Sequence, residues 1–145
     1  MNEKPSPSDL YQENILDHYK YPRNFGPLEN PDIHEEGLNP LCGDRVELFL
    51  KLDKEKRVAA MTFQGVGCAI CLASTSMLTE YVEGKHLDEI KALQKEDILK
   101  LLGIPIGPVR LKCAILSLVT LRQGVAFYEG EKANSTPATT ESDGT

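Results

Sequence analysis

Two runs of strict alternation, separated by one charged turn, constrain this chain more than any other feature. Val46, Leu48, Leu50 and Leu52 alternate with Glu47, Phe49, Lys51 and Asp53. Period two is the signature of a half-buried strand. "DKEK" reads as a turn, and "RVAAMTFQG" reads as a second strand. Its Val58, Ala60 and Thr62 fall on one face, and Ala59, Met61 and Phe63 on the other. So short a connection makes the pair an antiparallel hairpin. A further strand is expected around Ile33–Leu38.

Beyond "GVGC" the period changes. Ile70, Ala73, Met77, Leu78 and Tyr81 recur at helical spacing, with Gly84 placed as the residue after the helix end. Short helices are expected in "HLDEIKAL" and "KEDILKLLG", and a last one from about Arg110 to Tyr128. Ser8 is the expected N-cap of a first helix reaching about Tyr19. "KYPRNFGPLENP" then stops that helix with three prolines and a glycine. Strands first and helices later predict an α+β fold: a small three-stranded antiparallel sheet with helices packed mainly on one face. The expected organisation is a flexible leader at 1–7, one domain at 8–130 and a disordered tail at 131–145, where alanine is the only apolar residue type.

With 145 residues and 41% hydrophobic content, one domain can bury a core. The net charge of -6 argues against a general nucleic-acid binder, which needs a basic footprint. No apolar run approaches the roughly 20 residues that span a bilayer. The polar start lacks the apolar stretch of a signal peptide, so a cytoplasmic protein without membrane attachment is expected. In that compartment four cysteines are more readily thiols, metal ligands or reactive groups than disulfides.

Their positions carry the chemistry. Cys42 precedes the first strand of the hairpin and Cys68 follows the second, so the hairpin brings Cys42, Asp44 and Cys68 to one sheet edge. Cys113 is expected in the first turn of the last helix, after a Pro/Gly loop. Cys68 and Cys113 would then both sit at helix N-termini, where dipole and free N–H groups favour thiolate. Three thiols and a carboxylate form a Cys3Asp set suited to zinc or iron–sulfur chemistry. Each cysteine taken alone also fits a small buried hydrophobe, and Asp44 alone a turn residue. "CAIC", Cys68–Cys71, has the spacing of a dithiol redox motif, but the βαβ unit that usually accompanies one is not seen. His18, His34 and His86 show no ligand spacing and read as surface or capping residues.

Four motifs, "HYKYPRNFG" (18–26), "NPLCGDRV" (39–46), "GVGCAICLASTSMLTEYVEGK" (65–85) and "PVRLKCAIL" (108–116), resemble the iron–sulfur cluster assembly scaffold family of the IscU/SufU/NifU N-terminal type. The resemblance spans about residues 8–128. It implies a metal site of Cys42, Asp44, Cys68 and Cys113, and a pyridoxal-phosphate cysteine desulfurase as partner. It also implies transfer of sulfur or clusters to recipient apo iron–sulfur proteins or carriers. Lysine at 112 is similar to the SufU branch, in which three cysteines and the aspartate hold Zn2+. The housekeeping branch has histidine there. The insertion usual in SufU before the last cysteine is not evident, and "IGPVR" (106–110) departs from the chaperone-recognised segment of the housekeeping branch.

Two functions follow from the resemblance. In one, a sulfur carrier of sulfurtransferase type takes sulfane sulfur on Cys42, a loop ligand that leaves the zinc, with Cys113 as rival acceptor. In the other, a non-enzymatic scaffold assembles a transient [2Fe-2S] cluster, or binds Fe2+, on the same residues. Divalent zinc with three thiolates and a carboxylate is net negative, so Arg45, Arg110 and Lys112, which flank ligand positions, are expected to relieve that charge. Cys71 reads as a spare thiol, and "YPRNFG" (21–26) as a helix stop and candidate partner contact.

Overall fold

A computed structural model describes residues 7–130 and 138–139. The chain runs through α1 (Pro7–Lys20), β1 (Ile33–Asn39), β2 (Asp44–Leu52), β3 (Val58–Val66), α2 (Ala69–Val82), α3 (Leu87–Lys91), α4 (Lys95–Leu102) and α5 (Pro108–Tyr128). A two-residue strand, β4 (Ala138–Thr139), lies parallel to β1 at Gly37–Leu38. Sheet order is β3-β2-β1-β4. The leader expected at 1–7 lies outside the described residues except for Pro7. So does the tail expected at 131–145, except for β4.

The predicted hairpin is β2–β3, antiparallel with Leu48 opposite Phe63 and Leu50 opposite Met61. β1 pairs antiparallel on the other side of β2, Ile33 opposite Leu50 and Asn39 opposite Asp44. Val46, Leu48, Leu50, Met61 and Phe63 form the buried face, each at most 2% exposed. Val58 is buried as well, although strict alternation puts it opposite Met61. A register shift between Lys51 and Leu52 breaks the alternation at that end. On the other face His34 stacks on Phe49, ring centroids 4.5 Å apart, and reaches the Glu47 carboxylate.

Helices α2 and α5 cover the buried face, and α1 packs on α2. α2 contributes Ile70, Ala73, Met77, Leu78 and Val82 to the core and ends at Val82, with Glu83 as C-cap and Gly84 the residue after it. α5 has the length and apolarity of a membrane span by composition alone. Its residues Cys113–Leu118, Leu121 and Val125 are instead buried in the core. It starts at Pro108, with Gly107 as N-cap, two residues earlier than periodicity suggests. Proline suits the first helical position, where its missing N–H is not needed.

"YPRNFG" does more than stop α1. The backbone N–H of Phe63 donates to Asn24, and that of Gly26 donates to Phe63, extending the β3 edge. The Asn24 amide donates to Thr79 Oγ1 at 3.0 Å. His18, read from sequence as a surface or capping residue, is 6% exposed, with Nδ1 2.7 Å from Ser76 Oγ. His86 does cap: its ring accepts the Asp88 N–H at the start of α3.

Candidate metal centre

The β1–β2 turn sets the site. Asn39 closes the strand pair opposite Asp44, and its carbonyl accepts the N–H groups of Cys42 (3.2 Å) and Gly43 (2.9 Å). Gly43 has φ +73°, a left-handed conformation that glycine adopts without a Cβ clash. The turn leaves Cys42 exposed at its tip and sends Asp44 inward, where it is 2% exposed.

Both Asp44 oxygens are held. Oδ1 accepts the Cys68 backbone N–H at 3.0 Å, and Oδ2 accepts from the Asn39 amide at 3.2 Å. The same Asn39 nitrogen lies 3.4 Å from Cys113 Sγ, and Cys113 donates to Cys42 Sγ at 3.6 Å. Gly67, in the link from β3 to α2, lets the chain pass close to this carboxylate, because a Cβ there would stand 2.6 Å from Asp44 Oδ1.

One ligand-capable atom each from Cys42, Asp44 and Cys113 lies within 4.8 Å of the others. The Cys68 sulfur stands outside that group. Its backbone is nevertheless joined to Asp44, and the residue is the N-cap of α2, with extended backbone and no side-chain cap bond. Cys113 does not lie at a helix N-terminus as expected. The early start of α5 places it in the second turn, buried, so the end N–H groups of that helix are not directed at it.

The electrostatics are those of a crowded anionic corner. Burial pushes the Cys113 thiol well above its ordinary range, followed by hydrogen bonding with Asp44 and Cys42 and the nearby Cys68. Cys71, fully buried in the first turn of α2, is pushed up first by burial and then by Asp44, Cys68 and Cys42. A thiol so placed is a poor nucleophile, which removes support for the dithiol redox reading. Two thiols and a carboxylate are crowded into this space. A divalent ion reverses the balance, because it favours the deprotonated form of each donor. Soft sulfur donors with one carboxylate match zinc or iron rather than magnesium or calcium.

Arg45 departs from its expected place near this charge. Successive strand residues face opposite ways, so beside an inward Asp44 it is directed outward and pairs with Glu36 at 2.6 Å. Arg110 is exposed and Lys112 half-buried, and neither has a hydrogen bond or ion pair with a described residue. Asn39 and Gly67 were missed by residue-type reasoning. Their signal was position: each sits within three residues of a ligand candidate.

Residues 10–135 match the family model of the NifU-like N terminal domain. The zinc-dependent sulfurtransferase SufU of Bacillus subtilis is 40% identical over 138 residues, covering 83% of this chain and 92% of that protein. The iron-sulfur cluster assembly enzyme IscU of Drosophila melanogaster is 38% identical over 126 residues, covering 85% of this chain and 80% of that protein. Among solved structures, one from Fervidobacterium islandicum AW-1 is described as an iron-sulfur cluster assembly scaffold for the SUF system. It superposes with a TM-score of 0.70 at 29% identity, over 83% of this chain and 99% of that one.

Proposed function

The chain belongs to the NifU-like N-terminal domain family of iron–sulfur cluster assembly scaffolds, and on that premise we propose that it accepts sulfur from a cysteine desulfurase at a zinc site of Cys42, Asp44, Cys68 and Cys113. One observation carries the reading: Cys42 is exposed at a turn tip, while Asp44 and Cys113 beside it are buried. The similarity to a zinc-dependent sulfurtransferase supports zinc as the resident ion. Zinc, when bound, keeps the thiols deprotonated and shielded from oxidation.

The chain's own residues divide the work. Asp44 and Cys113 hold from the buried side. Cys68, whose backbone N–H is bonded to Asp44, would complete the set. Cys42 is the acceptor. Its thiolate attacks the outer sulfur of the desulfurase persulfide, and a new S–S bond forms on Cys42. The donor's S–S bond breaks, its electron pair leaves with the donor cysteine as thiolate, and no net oxidation occurs. Cys113, 2% exposed, is the less accessible acceptor. Arg110 and Lys112 remain proposed charge-relieving groups near the site, and Lys112 is the better shielded from solvent.

The expected partner is a pyridoxal-phosphate cysteine desulfurase, and the recipients are apo iron–sulfur proteins or carriers. Cys42→Ser should abolish stimulation of desulfurase turnover by this protein and prevent the one-sulfur mass adduct expected on the wild-type chain. Full stimulation by the variant would end the assignment. A second reading, a transient [2Fe-2S] cluster carried as cargo on the same donors, draws on the similarity to the IscU assembly protein. Anaerobic incubation with iron, cysteine and desulfurase separates the two: cluster absorption favours the cargo reading, and tightly held zinc without it favours the carrier.

A further inference from the structure

We propose that Asn39 is a positioning residue that divides the site into an anchored half and a mobile half. The inference rests on the reading of Cys42, Asp44, Cys68 and Cys113 as metal ligands. It adds a residue that itself carries no ligand chemistry.

Asn39 is fully buried at the end of β1. Its side-chain nitrogen donates to Asp44 Oδ2 and to Cys113 Sγ, at 3.2 and 3.4 Å. A primary amide nitrogen carries two N–H groups, so both contacts can be made at once. One side chain thus ties a ligand of β2 to a ligand of α5, two elements that are distant in sequence. Its main chain acts differently. The Asn39 carbonyl shapes the turn through Cys42 and Gly43, and this turn carries Cys42 to its exposed tip. The side chain anchors the buried pair, and the backbone presents the third ligand to solvent.

Hydrogen bonds to sulfur and carboxylate ligands stabilise the charged, metal-binding form and fix its orientation. Groups of this kind typically change metal affinity by about 10–100-fold when removed. Anchoring Cys113 but leaving Cys42 at a turn tip makes Cys42 the sulfur that comes free first. Asn39 would therefore set which thiol meets an incoming reagent, as well as how tightly the ion is held.

Co2+ titration tests this on the full chain, prepared metal-free without air. Thiolate-to-cobalt absorption reports binding, and competition by Zn2+ reports zinc affinity. Iodoacetamide labelling of the Zn2+-loaded protein, read by peptide mass mapping, reports which sulfur is released first. Asn39→Ala is expected to weaken Zn2+ binding about 10–100-fold and to raise labelling of Cys113 relative to Cys42. Asn39→Asp keeps the size and turn preference of asparagine but replaces the donor with an acceptor facing Asp44. It is expected to weaken binding more than alanine does. Where Asn39→Ala fails to fold, Asn39→Ser, which keeps a small turn-favouring side chain without the amide donors, takes its place in the same measurements.

Wild-type affinity and Cys42-first labelling in Asn39→Asp would overturn the proposal and leave Asn39 a turn former only. Absence of a thiolate-to-cobalt band in the wild-type protein would overturn the metal-site reading and, with it, this one. A band in the wild type that is unchanged in both variants would sink the role of Asn39 alone.

Discussion

Two polar clusters flank α2, and they are built on opposite terms. At its middle, His18 Nδ1 meets Ser76 Oγ at 2.7 Å, the Arg23 backbone N–H donates to the same oxygen at 2.9 Å, and Asn24 donates to Thr79. Thr79 in turn donates to the Ser76 carbonyl. Donors and acceptors match within the chain, and the cluster pins the segment after α1 to α2. At the helix start lie a carboxylate and three sulfurs: Asp44 accepts from the Asn39 amide and the Cys68 backbone N–H, and Cys113 Sγ accepts from Asn39. There, the carboxylate has no cationic partner among the described residues. A polar group buried for architecture brings its partner with it, because leaving one unpaired costs about 1–3 kcal/mol. A polar cluster left short of positive charge is suited to a cation from outside.

Metal removal should break the symmetry between the two clusters most strongly. An ion that binds only the folded state adds about 4 kcal/mol at a free concentration a thousand times its Kd, or roughly 10 °C in Tm for a chain of this size. A zinc chelator should therefore lower Tm by that order. Asp44→Ala should show no chelator response, and Ser76→Ala should retain it in full. Scanning calorimetry with and without chelator decides this. Equal Tm values for the wild-type protein in both conditions would mean that the thiol corner holds no stabilising ion.

Ser76→Ala sharpens the contrast from the other side. It strips a partner from His18 Nδ1 and from the Arg23 N–H, at an expected loss of about 1–3 kcal/mol. Metal content, measured by elemental analysis, should not change. A variant that unfolds at the same denaturant midpoint as wild type, or that loses its metal, would show that the clusters are not separate in the way their bonding suggests.

How far each cluster was legible in the sequence follows the same division. The hairpin was readable because Val46–Leu52 alternate with period two, and period two fixes a face. The thiol corner was readable because cysteines are scarce and the hairpin ends bring Cys42, Asp44 and Cys68 to one edge. Asn39 was not readable, because asparagine beside proline and glycine looks like any turn former. Its bonds run to β2 and α5, which only tertiary structure brings together. His18 was missed because its partner Ser76 lies far along the chain, on a helix face that periodicity marks as core without naming a polar contact. Periodicity starts α5 only at about Arg110, because Pro108 continues a Pro/Gly loop in sequence, whereas in the fold proline takes the first helical position and Cys113 falls in the second turn.

The smallest expected effect is a pH dependence confined to the closed cluster. Burial lowers the His18 pKa below its ordinary value, and the Arg23 guanidinium lowers it further, against opposing charges on Glu80 and Asp17. The folded state therefore holds this imidazole neutral where the unfolded chain takes up a proton. Its contribution is fully present above the unfolded pKa of about 6.5. It is lost as pH falls from there through the folded-state value, because the unfolded state then binds more protons. One proton limits the slope to about 1.4 kcal/mol per pH unit. Tm measured from pH 7.5 to 5.5 in excess chelator keeps metal loss at the thiol corner out of the signal. Subtracting the profile of His18→Asn removes the contributions of His34 and His86, which make their contacts elsewhere. The difference should be flat above pH 7 and decline below 6.5. A difference that stayed flat to pH 5.5 would mean that His18 takes up its proton as readily in the folded chain as in the unfolded one. The closed cluster would then be less tightly sealed than its hydrogen bonds imply.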